Sequence, residues 1–487
     1  MDEQPTANDG GVALKKTIGY FSAVNFIFNV ILGTGIFISP GAVLLYSQLN
    51  VGVSLVIWAV CGLISITGAL CYAELGTTFP SSGGEFFYIK RSLGPIPAFI
   101  FLWTATIFLR PAIITVQALM FAEYTIQPFF PGCPSPEAIK KIAAIAVILV
   151  VGIINCLSVK WIIVMQNVFS VLKMASLSAI ALCGIVQLAM GKTKNFHNAF
   201  AGGVPNVSQI GEAFYQGMFA YGGWNALNYV VGWNSLNYMA EEIKNPSKNI
   251  PRSIITSMCT VMVFYLLVNI SYLTVLTPKE LVSSAAVSVT WADRMIPTWA
   301  WIIPVSVALS IFGSLNGGMF MLGRLNYAGS KEGHLPSIIS MLHVHYLTPA
   351  PAMIISTIIA CVFVIPSDLI SLTNYFSFCT WLLVGLTCIS LIVLRFREPH
   401  LERPYKVFLP IAFVVVGVSA FLVLAPIVQN PKIQYFYALL FMFSGILVYI
   451  PFVHFKLKIP YMDKVTCYLQ LLLEVSPTDI FEDAKTE

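Results

Sequence analysis

The chain has 487 residues, of which 57% are hydrophobic and only 10% are charged. In a typical water-soluble protein about a quarter of all residues are charged, so this composition excludes an ordinary soluble globular protein. The formal net charge of +5 does not require a nucleic acid partner, because membrane proteins concentrate basic residues on their inner side. The sequence therefore predicts an integral membrane protein.

Long apolar runs recur along the chain, each near the ~20 residues that cross a bilayer as a helix. They predict an all-α membrane protein with twelve transmembrane helices, at 20–47, 51–78, 96–127, 138–157, 161–190, 210–241, 252–276, 297–329, 350–366, 371–395, 407–428 and 433–455. We expect an N-terminal tail at 1–19, a twelve-helix transporter domain at 20–455 and a C-terminal tail at 456–487. The polar, acidic start does not resemble a cleaved signal peptide.

The distribution of basic residues predicts the orientation. A cytoplasmic N-terminus places 18 of the 27 Lys and Arg residues in inner tails and loops and seven in outer loops. This bias predicts that both termini are cytoplasmic. Cys133 then lies in an outer loop, where no second cysteine is expected to pair with it. Such a residue indicates either a disulfide to another chain or a free loop thiol.

Glycines interrupt two of the predicted helices. The first contains Gly33-Thr34-Gly35, and the sixth contains Gly222-Gly223 shortly after Phe219. A broken membrane helix exposes backbone N–H groups that can bind a substrate carboxylate, whereas small residues can also serve close helix packing. Because the two interruptions are five helices apart, they match the first members of two five-helix halves. That pattern predicts an inverted-repeat transporter with its site at the bilayer midplane.

Two charged residues stand inside predicted helices. Lys173 has apolar neighbours on both sides, and Arg110 precedes Pro111 in the third helix. Charges inside a membrane are costly and are functional candidates, unless they reach an interface. The six histidines are scattered and form no metalloenzyme motif, so a membrane enzyme is a weak alternative, and neither metal nor cofactor is expected. A channel is also disfavoured, because no ring of filter residues is evident.

Several short motifs resemble the light subunits of the heteromeric amino acid transporters, within the amino acid-polyamine-organocation superfamily. They are Gly33-Thr34-Gly35-Ile36-Phe37, Tyr72-Ala73-Glu74-Leu75-Gly76-Thr77, Ser82-Gly83-Gly84-Glu85, Phe219-Ala220-Tyr221-Gly222-Gly223-Trp224-Asn225, Lys331-Glu332-Gly333-His334-Leu335-Pro336 and Glu402-Arg403-Pro404. The resemblance extends over residues 19–477. It implies a LeuT-like fold of 5+5 inverted repeats with broken helices 1 and 6, and sodium-independent amino acid exchange across the plasma membrane. The apical epithelial membrane is one candidate location.

The resemblance also implies a substrate pocket. The backbone around Thr34 and Gly35 would bind the substrate carboxylate, and carbonyls near Ile31 and Phe219 would take the ammonium group. Phe219 would in addition gate the pocket. The full set implied for the pocket is Ile31, Gly33, Thr34, Gly35, Phe219, Gly222, Asn225 and Thr380.

Two further roles follow from the resemblance. Lys173 would take the place of a sodium ion that related transporters use, so that a fixed ammonium holds the helices. Cys133 would bond to a single-pass glycoprotein heavy chain. The stretches 269–277 and 468–475 resemble those of light chains that pair with the heavy chain rBAT.

Gly222 bears on the choice of substrate. The branch that carries cystine and dibasic amino acids has an aspartate at this position. Without that carboxylate a buried dibasic head group would be unpaired, which favours neutral substrates, including aromatic ones. Arg110 leaves acidic substrates open. The chain most resembles the aromatic-preferring light chain in these features. Two alternatives remain. One is an exchanger that also accepts cystine, dibasic or acidic amino acids, and the other is a non-transporting amino acid sensor or scaffold.

Two features depart from the family pattern. Residues 223–231 are nearly repeated at 232–240, where the family has one copy. The nine extra residues would add about 13.5 Å of helix; a tandem duplication, an alternative splice or a sequence-assembly artefact would each explain them. Asn29-Val30 replaces a usual glycine and threonine. Asn29 would either hydrogen-bond across helices or shift the inner half-helix.

Overall fold

The computed structural model describes residues 18–32, 35–79, 83–126, 129, 136–157, 159–201, 203–222, 236, 242–284, 287–299, 301–365, 369–429, 433–457 and 462–477. Within these residues the chain is almost entirely helical, and one short pair of strands joins residues 342–343 to residues 475–476.

The helices have the following bounds in chain order: α1 (Tyr20–Ile31), α2 (Gly35–Tyr46), α3 (Val51–Thr78), α4 (Glu85–Leu93), α5 (Pro95–Trp103), α6 (Arg110–Ile126), α7 (Glu137–Leu157), α8 (Val159–Ala189), α9 (Val207–Gly222), α10 (Pro246–Val275), α11 (Pro278–Ser283), α12 (Val287–Met295), α13 (Ile302–Lys331), α14 (Ala350–Val364), α15 (Leu369–Arg397), α16 (Leu409–Gln429), α17 (Ile433–Tyr449) and α18 (Met462–Leu473). Short π-helical segments follow α5 and α17, at Thr104–Leu109 and Ile450–His454.

Local sequence explains several helix boundaries. The Asn50 side chain accepts a hydrogen bond from the Val53 N–H at 3.0 Å and so caps the start of α3. Gly94 separates α4 from α5 with a φ of 98°, a left-handed conformation that glycine adopts without steric cost. Pro95 follows as the first residue of α5, a position where its missing N–H has no intrahelical role.

Each of the twelve predicted ranges contains a described helix, but not every helix has the length of a membrane span. Among the described residues, eight helical segments are long and apolar enough to cross a membrane, and two shorter apolar helices lie at Ala350–Val364 and Leu409–Leu424. The range 20–47 is divided into α1 and α2, and the range 210–241 is represented by α9 as far as Gly222. The prediction of an interruption in the first helix therefore agrees with the structure.

The interrupted helices lie in the interior of the helical assembly. α1 packs against α8, α10 and α13, while α2 packs against α9. α10 also packs against α3 and α8. The outward faces of the long helices are apolar and exposed, for example Ile153 on α7 and Val168 on α8. Such faces suit a hydrocarbon environment, where backbone polar groups must be satisfied within the helices.

The C-terminal segment has structure that the sequence did not predict. α18 is followed by β2 (Val475–Ser476), which pairs antiparallel with β1 (Leu342–His343) in the loop between α13 and α14. Apolar side chains from both segments form a small cluster beneath this pair, including Ile338, Met341 and Leu473. The predicted tail 456–487 is thus docked onto the helical domain as far as residue 477.

Candidate functional site

Hydroxyl groups from two other helices bind the carbonyls where α1 ends. The Tyr265 hydroxyl on α10 donates to the Ile31 oxygen at 3.2 Å, and the Ser310 hydroxyl on α13 donates to the Leu32 oxygen at 2.6 Å. The last carbonyls of a helix have no intrahelical partner, and in a membrane interior no bulk water replaces it. These two bonds therefore stabilise the interruption between α1 and α2.

The helix α9, in which the sequence predicts the second interruption, meets α1 and α2 at Ala220. The Tyr265 hydroxyl also lies 3.0 Å from the Ala220 oxygen on α9. At the start of α2, a Cβ atom added to Gly35 would lie only 2.8 Å from the Ala220 Cα atom. Only a glycine allows this approach without a shift of the backbone. Tyr265 and Gly35 thus bring the end of α1, the start of α2 and the end of α9 to one place.

Aromatic rings form a buried wall beside this meeting point. The ring centroids of Trp58 and Tyr265 are 5.7 Å apart in an edge-to-face arrangement, and those of Tyr221 and Tyr265 are 5.0 Å apart. Trp58 also contacts Tyr221, with centroids 6.0 Å apart. All three side chains are fully buried. Because edge-to-face pairs are favourable contacts, the wall holds the Tyr265 hydroxyl in position.

Lys173 lies beside the interruption of α1. Its side chain on α8 is buried, and its Nζ atom donates to the Ser314 hydroxyl at 3.3 Å. Ser314 in turn donates to the Ser310 carbonyl at 3.2 Å. Lys173, Leu32 and Ser310 also line one small pocket. An ammonium group in such a place is expensive to bury, so its position next to the break is a functional candidate.

A row of neutral hydrogen bonds joins the first half of α1 to α8. The Asn25 amide donates to the Asn167 side-chain oxygen at 3.1 Å and accepts from the Ser170 hydroxyl at 3.0 Å. The Asn167 amide donates to the Ser22 hydroxyl at 3.4 Å. Asn167, Ser170 and Lys173 are spaced three residues apart and therefore share one face of α8. That face carries polar contacts from the start of α1 to its end.

Several predicted site residues lie wholly or partly outside the described part of the chain. Gly33, Thr34, Asn225 and Cys133 lie outside the described residues, as does the duplicated segment apart from Leu236. Phe219 and Gly222 belong to the last part of α9, and their side-chain surroundings are outside the described part. The same holds for the side chain of Asn29 in α1.

Arg110 and Thr380 lie on helices other than α1 and α9. Arg110 is buried and begins α6 directly after the π-helical segment, and α6 packs against α7, α13 and α14. π-helical turns often mark functional sites. Thr380 is half-buried on α15, which packs against α3, α4, α16 and α17. Their roles in the pocket stay predictions.

The sequence reasoning did not single out a buried acidic group on α3. Both Glu74 oxygens accept hydrogen bonds from the Arg395 guanidinium at 2.6 Å, and Arg403 lies 3.3 Å from the same carboxylate. The Val407 N–H also donates to Glu74 at 2.8 Å. We call Glu74, Arg395 and Arg403 the Glu74 cluster. It joins α3 to α15 and to the segment before α16.

A second buried ion pair joins Glu242 to Arg324, whose Nε donates to a Glu242 oxygen at 2.7 Å. The Arg324 guanidinium also lies 3.6 Å from the centre of the Phe320 ring. Arg324 lies within α13. A charge within an apolar run was the signal available for both Glu74 and Arg324.

The Amino acid permease family model matches residues 18–450. The chain belongs to the amino acid permease family. The match includes both interruptions, Lys173 and the Glu74 cluster, and it extends over nearly all of the described helices. The members of this family are transporters rather than enzymes.

Named relatives align with the permease over almost its full length. "Solute carrier family 7 member 13" of Mus musculus is 44% identical and aligns over 97% of each chain. "b(0,+)-type amino acid transporter 1" of Homo sapiens is 44% identical, over 96% of this chain and 94% of the relative. "Large neutral amino acids transporter small subunit 2" of Mus musculus is 39% identical, over 94% and 85%. The resemblance to the light-subunit family is thereby confirmed.

A solved structure shares the fold. Mhp1, a nucleobase-cation-symport-1 family transporter in a closed conformation, superimposes with a TM-score of 0.53 over 95% of this chain and 99% of Mhp1. Sequence identity is 14%, so the likeness concerns the fold alone. The permease therefore has the architecture of a multi-pass transporter.

Proposed function

We propose that the permease is a sodium-independent exchanger of neutral amino acids, including aromatic ones. The observation that carries the proposal is the meeting of α1 and α9, where the Ile31 and Ala220 carbonyls lie within reach of one hydroxyl group. Interrupted helices provide both free N–H groups and free carbonyls near the bilayer midplane. An amino acid presents the complementary pair, a carboxylate and an ammonium group.

In this proposal the α-carboxylate binds the backbone N–H groups at Gly33, Thr34 and Gly35, where α2 begins. The ammonium group binds carbonyls at Ile31 and near Phe219. Phe219 closes the pocket, and Gly222, Asn225 and Thr380 contact the side chain of the substrate. Each of these roles belongs to the proposal and is open to substitution.

The buried Lys173 supports independence from sodium. Its ammonium group lies where the end of α1 approaches α13, next to Leu32 and Ser310. A cation fixed to the protein supplies a positive charge at this junction without a co-transported ion. Transport is then not coupled to a sodium gradient. Arg110 is a second buried cation, at the start of α6, and we assign it no role in sodium independence.

Gly222 supports neutral substrates. It ends α9 and carries no carboxylate that would pair with a dibasic head group, which would leave a buried charge uncompensated. One relative is named as a b(0,+)-type amino acid transporter and another as a large neutral amino acids transporter subunit. Transport of cystine or dibasic amino acids is therefore the alternative that the experiment must distinguish from transport of neutral amino acids.

We further propose that the permease has twelve spans in a 5+5 inverted repeat and cytoplasmic termini. In the plasma membrane it would be the light chain of a heterodimer, bonded through Cys133 to a single-pass glycoprotein heavy chain of the rBAT type. The excess of basic residues in the predicted inner loops supports the orientation. The tail docked by β1 and β2 would then lie on the cytoplasmic side.

The test is uptake of a labelled amino acid panel in sodium-free medium, in cells that co-express a heavy chain. We expect preloading with unlabelled leucine to accelerate uptake of tyrosine and leucine, while arginine uptake stays at background. A non-reducing gel of the same cells should show a high-mass band that reductant removes. Uptake of arginine comparable to that of leucine would refute the proposal that Gly222 restricts transport to neutral substrates. Uptake that requires sodium would refute the proposal that Lys173 replaces a sodium ion.

Flat uptake of every substrate, with the permease present at the cell surface, would refute exchange. Purified permease should then be tested for stabilisation by leucine. Stabilisation without flux would favour a sensor that binds amino acids without transporting them.

A further inference from the structure

The helix α18 in the C-terminal tail is apolar on two sides. On its inner side, Leu469 and Leu473 pack against the cluster beneath β1 and β2. Val465, Tyr468 and Leu472 form its outer face, since their spacing of three and four residues places them together. These three side chains are 49%, 66% and 62% exposed, so in the described part of the chain only the inner side is covered. A contiguous exposed apolar patch of this kind marks an interaction surface.

The segment that leads to α18 has the same character. Phe455 and Leu457 are exposed, and the exposed Lys456 lies between them. Residues 455–473 contain three lysines and one aspartate. The surface therefore combines exposed apolar side chains with an excess of positive charge. That combination is typical of segments that lie in the interface of a bilayer containing anionic lipids.

The position of α18 places this surface close to the membrane. The candidate membrane span Phe436–His454 precedes α18, which begins at Met462, and the connection between them spans less than about 30 Å even when fully extended. The cluster under α18 also contacts Ile355 of α14. Ile358, one turn further along α14, is an exposed apolar side chain. The outer face of α18 thus lies near the edge of the apolar surface that the helical domain presents to lipid.

We propose that the outer face of α18, together with Phe455 and Leu457, docks onto the inner leaflet of the membrane at anionic phospholipids. The apolar side chains lie at the boundary between headgroups and acyl chains, and Lys456 contacts the anionic headgroups. The inference uses the cytoplasmic placement of the tail proposed above, but it does not depend on which substrate is transported. Continuity with the lipid-facing surface and the excess of lysine favour a lipid partner over a soluble protein.

The chain provides two matched positions for a thiol on α18. Cys467 is exposed, and Leu472 is five residues further along, which places the two side chains about 140° apart around the helix axis. Leu472→Cys in a Cys467→Ser background puts a thiol on the outer face, whereas the native Cys467 lies away from that face. Since both positions are exposed on the permease itself, docking of the outer face should protect only one of them.

The experiment measures how fast each thiol reacts with a water-soluble maleimide. Full-length permease is placed in nanodiscs that hold one copy, made of phosphatidylcholine with or without phosphatidylserine. Cys467→Ser alone gives the reaction of the other cysteines, which is subtracted. In discs with phosphatidylserine we expect Leu472→Cys to react about tenfold more slowly than Cys467, because an inserted side chain is shielded from water. The protection should be weaker without phosphatidylserine, and Lys456→Gln should reduce this dependence on lipid charge.

A second measurement identifies lipid as the group in contact. A fluorophore attached at Leu472→Cys should be quenched by phospholipids that carry a nitroxide near the headgroup, and more strongly than the same fluorophore at Cys467. Tyr468→Cys in the Cys467→Ser background repeats both measurements at a second position on the outer face. It keeps the test decisive where the Leu472→Cys variant fails to fold.

Three results would overturn the inference. Equal reaction rates at the two positions in nanodiscs would show that the outer face is not docked. Protection without quenching by the nitroxide lipids would show a contact within the chain. Protection that appears only after cytosol is added, or only in vesicles that hold several copies, would show a protein partner or a second copy of the permease instead of lipid.

Discussion

The interrupted helices and the Glu74 cluster are held by different kinds of contact. At the interruption of α1 the bonds to the backbone carbonyls are neutral, since they come from the hydroxyl groups of Tyr265 and Ser310. At the Glu74 cluster one buried carboxylate accepts two hydrogen bonds from Arg395 and faces Arg403 as well. Charge-assisted bidentate bonds are roughly twice as strong as neutral ones.

The difference separates parts of the permease that can rearrange from parts that cannot. A neutral hydrogen bond contributes only about 0.5–1.5 kcal/mol to stability, so a substrate can replace it. Removing one member of a buried ion pair leaves an uncompensated charge, which costs several times more. We therefore expect α1 and α9 to move relative to their neighbours during transport, while α3 and α15 stay joined at Glu74. Glu74→Ala and Gly35→Ala test this division.

The largest effect is expected for Glu74→Ala. The substitution leaves Arg395 and Arg403 buried without their carboxylate, and we expect a loss of about 3–5 kcal/mol in the free energy of unfolding. Thermal unfolding of the purified permease measures it. The control is Glu398→Ala, which removes the partly exposed partner of Arg91 and should cost below about 1 kcal/mol. Equal effects of the two variants would contradict the division.

A smaller effect on stability, with a large one on transport, is expected for Gly35→Ala. The added methyl group would lie 2.8 Å from the Ala220 Cα atom, so α2 and α9 must separate. Overpacking of this kind costs about 1–3 kcal/mol, and the shift would displace the carbonyls at both interruptions. We expect leucine exchange to fall to background while the permease still reaches the surface.

Gly417→Ala on α16 is the matched control, because a Cβ atom there would meet nothing within 4 Å. Alanine also suits a helix interior better than glycine. Exchange by Gly417→Ala should equal that of the parent. If Gly35→Ala also equals the parent, the close contact between α2 and α9 is not required for transport.

The smallest effect concerns His334, in the loop after α13. Its ring is buried against Phe86 and Phe99, with centroids 5.0 and 5.8 Å away. Burial, together with the Lys90 ammonium, lowers the pKa of His334 to about 4, against the opposing effect of Glu332. Between pH 6.5 and 4 the unfolded chain therefore binds the proton that the folded chain excludes, so stability should fall as the pH falls through this range.

The slope contributed by His334 is at most about 1.4 kcal/mol per pH unit. Thermal unfolding between pH 4 and 7 should show a smaller acid-induced loss for His334→Phe than for the parent. The same loss in both would mean that other groups carry the acid sensitivity.

Much of the helical framework could be predicted from the sequence. The apolar runs indicated where helices occur, and Gly33-Thr34-Gly35 indicated that the first one is broken between Ile31 and Gly35. Lys173 could be selected as a buried cation because charges are rare in apolar runs. The predicted range 210–241 is described as a helix as far as Gly222, and its remainder, apart from Leu236, lies outside the described residues.

The contacts that complete the site could not be predicted in this way. Tyr265 is 234 residues from Ile31 in the chain, and a tyrosine in an apolar run is an ordinary residue there. Ser310 lies 278 residues from Leu32. The docking of the tail through β1 and β2 was missed for the same reason, because each strand has only two residues.

The sequence by itself determined the membrane class, the positions of most helices and the place where the first of them is interrupted. These properties depend on the polarity and backbone preferences of neighbouring residues, which can be read along one chain segment. Only the tertiary structure decided that one hydroxyl joins α1 to α9, that Lys173 lies beside Leu32 and that Glu74 faces two arginines. Such contacts depend on how distant helices pack, since side-chain hydrogen bonds form only within about 3.5 Å.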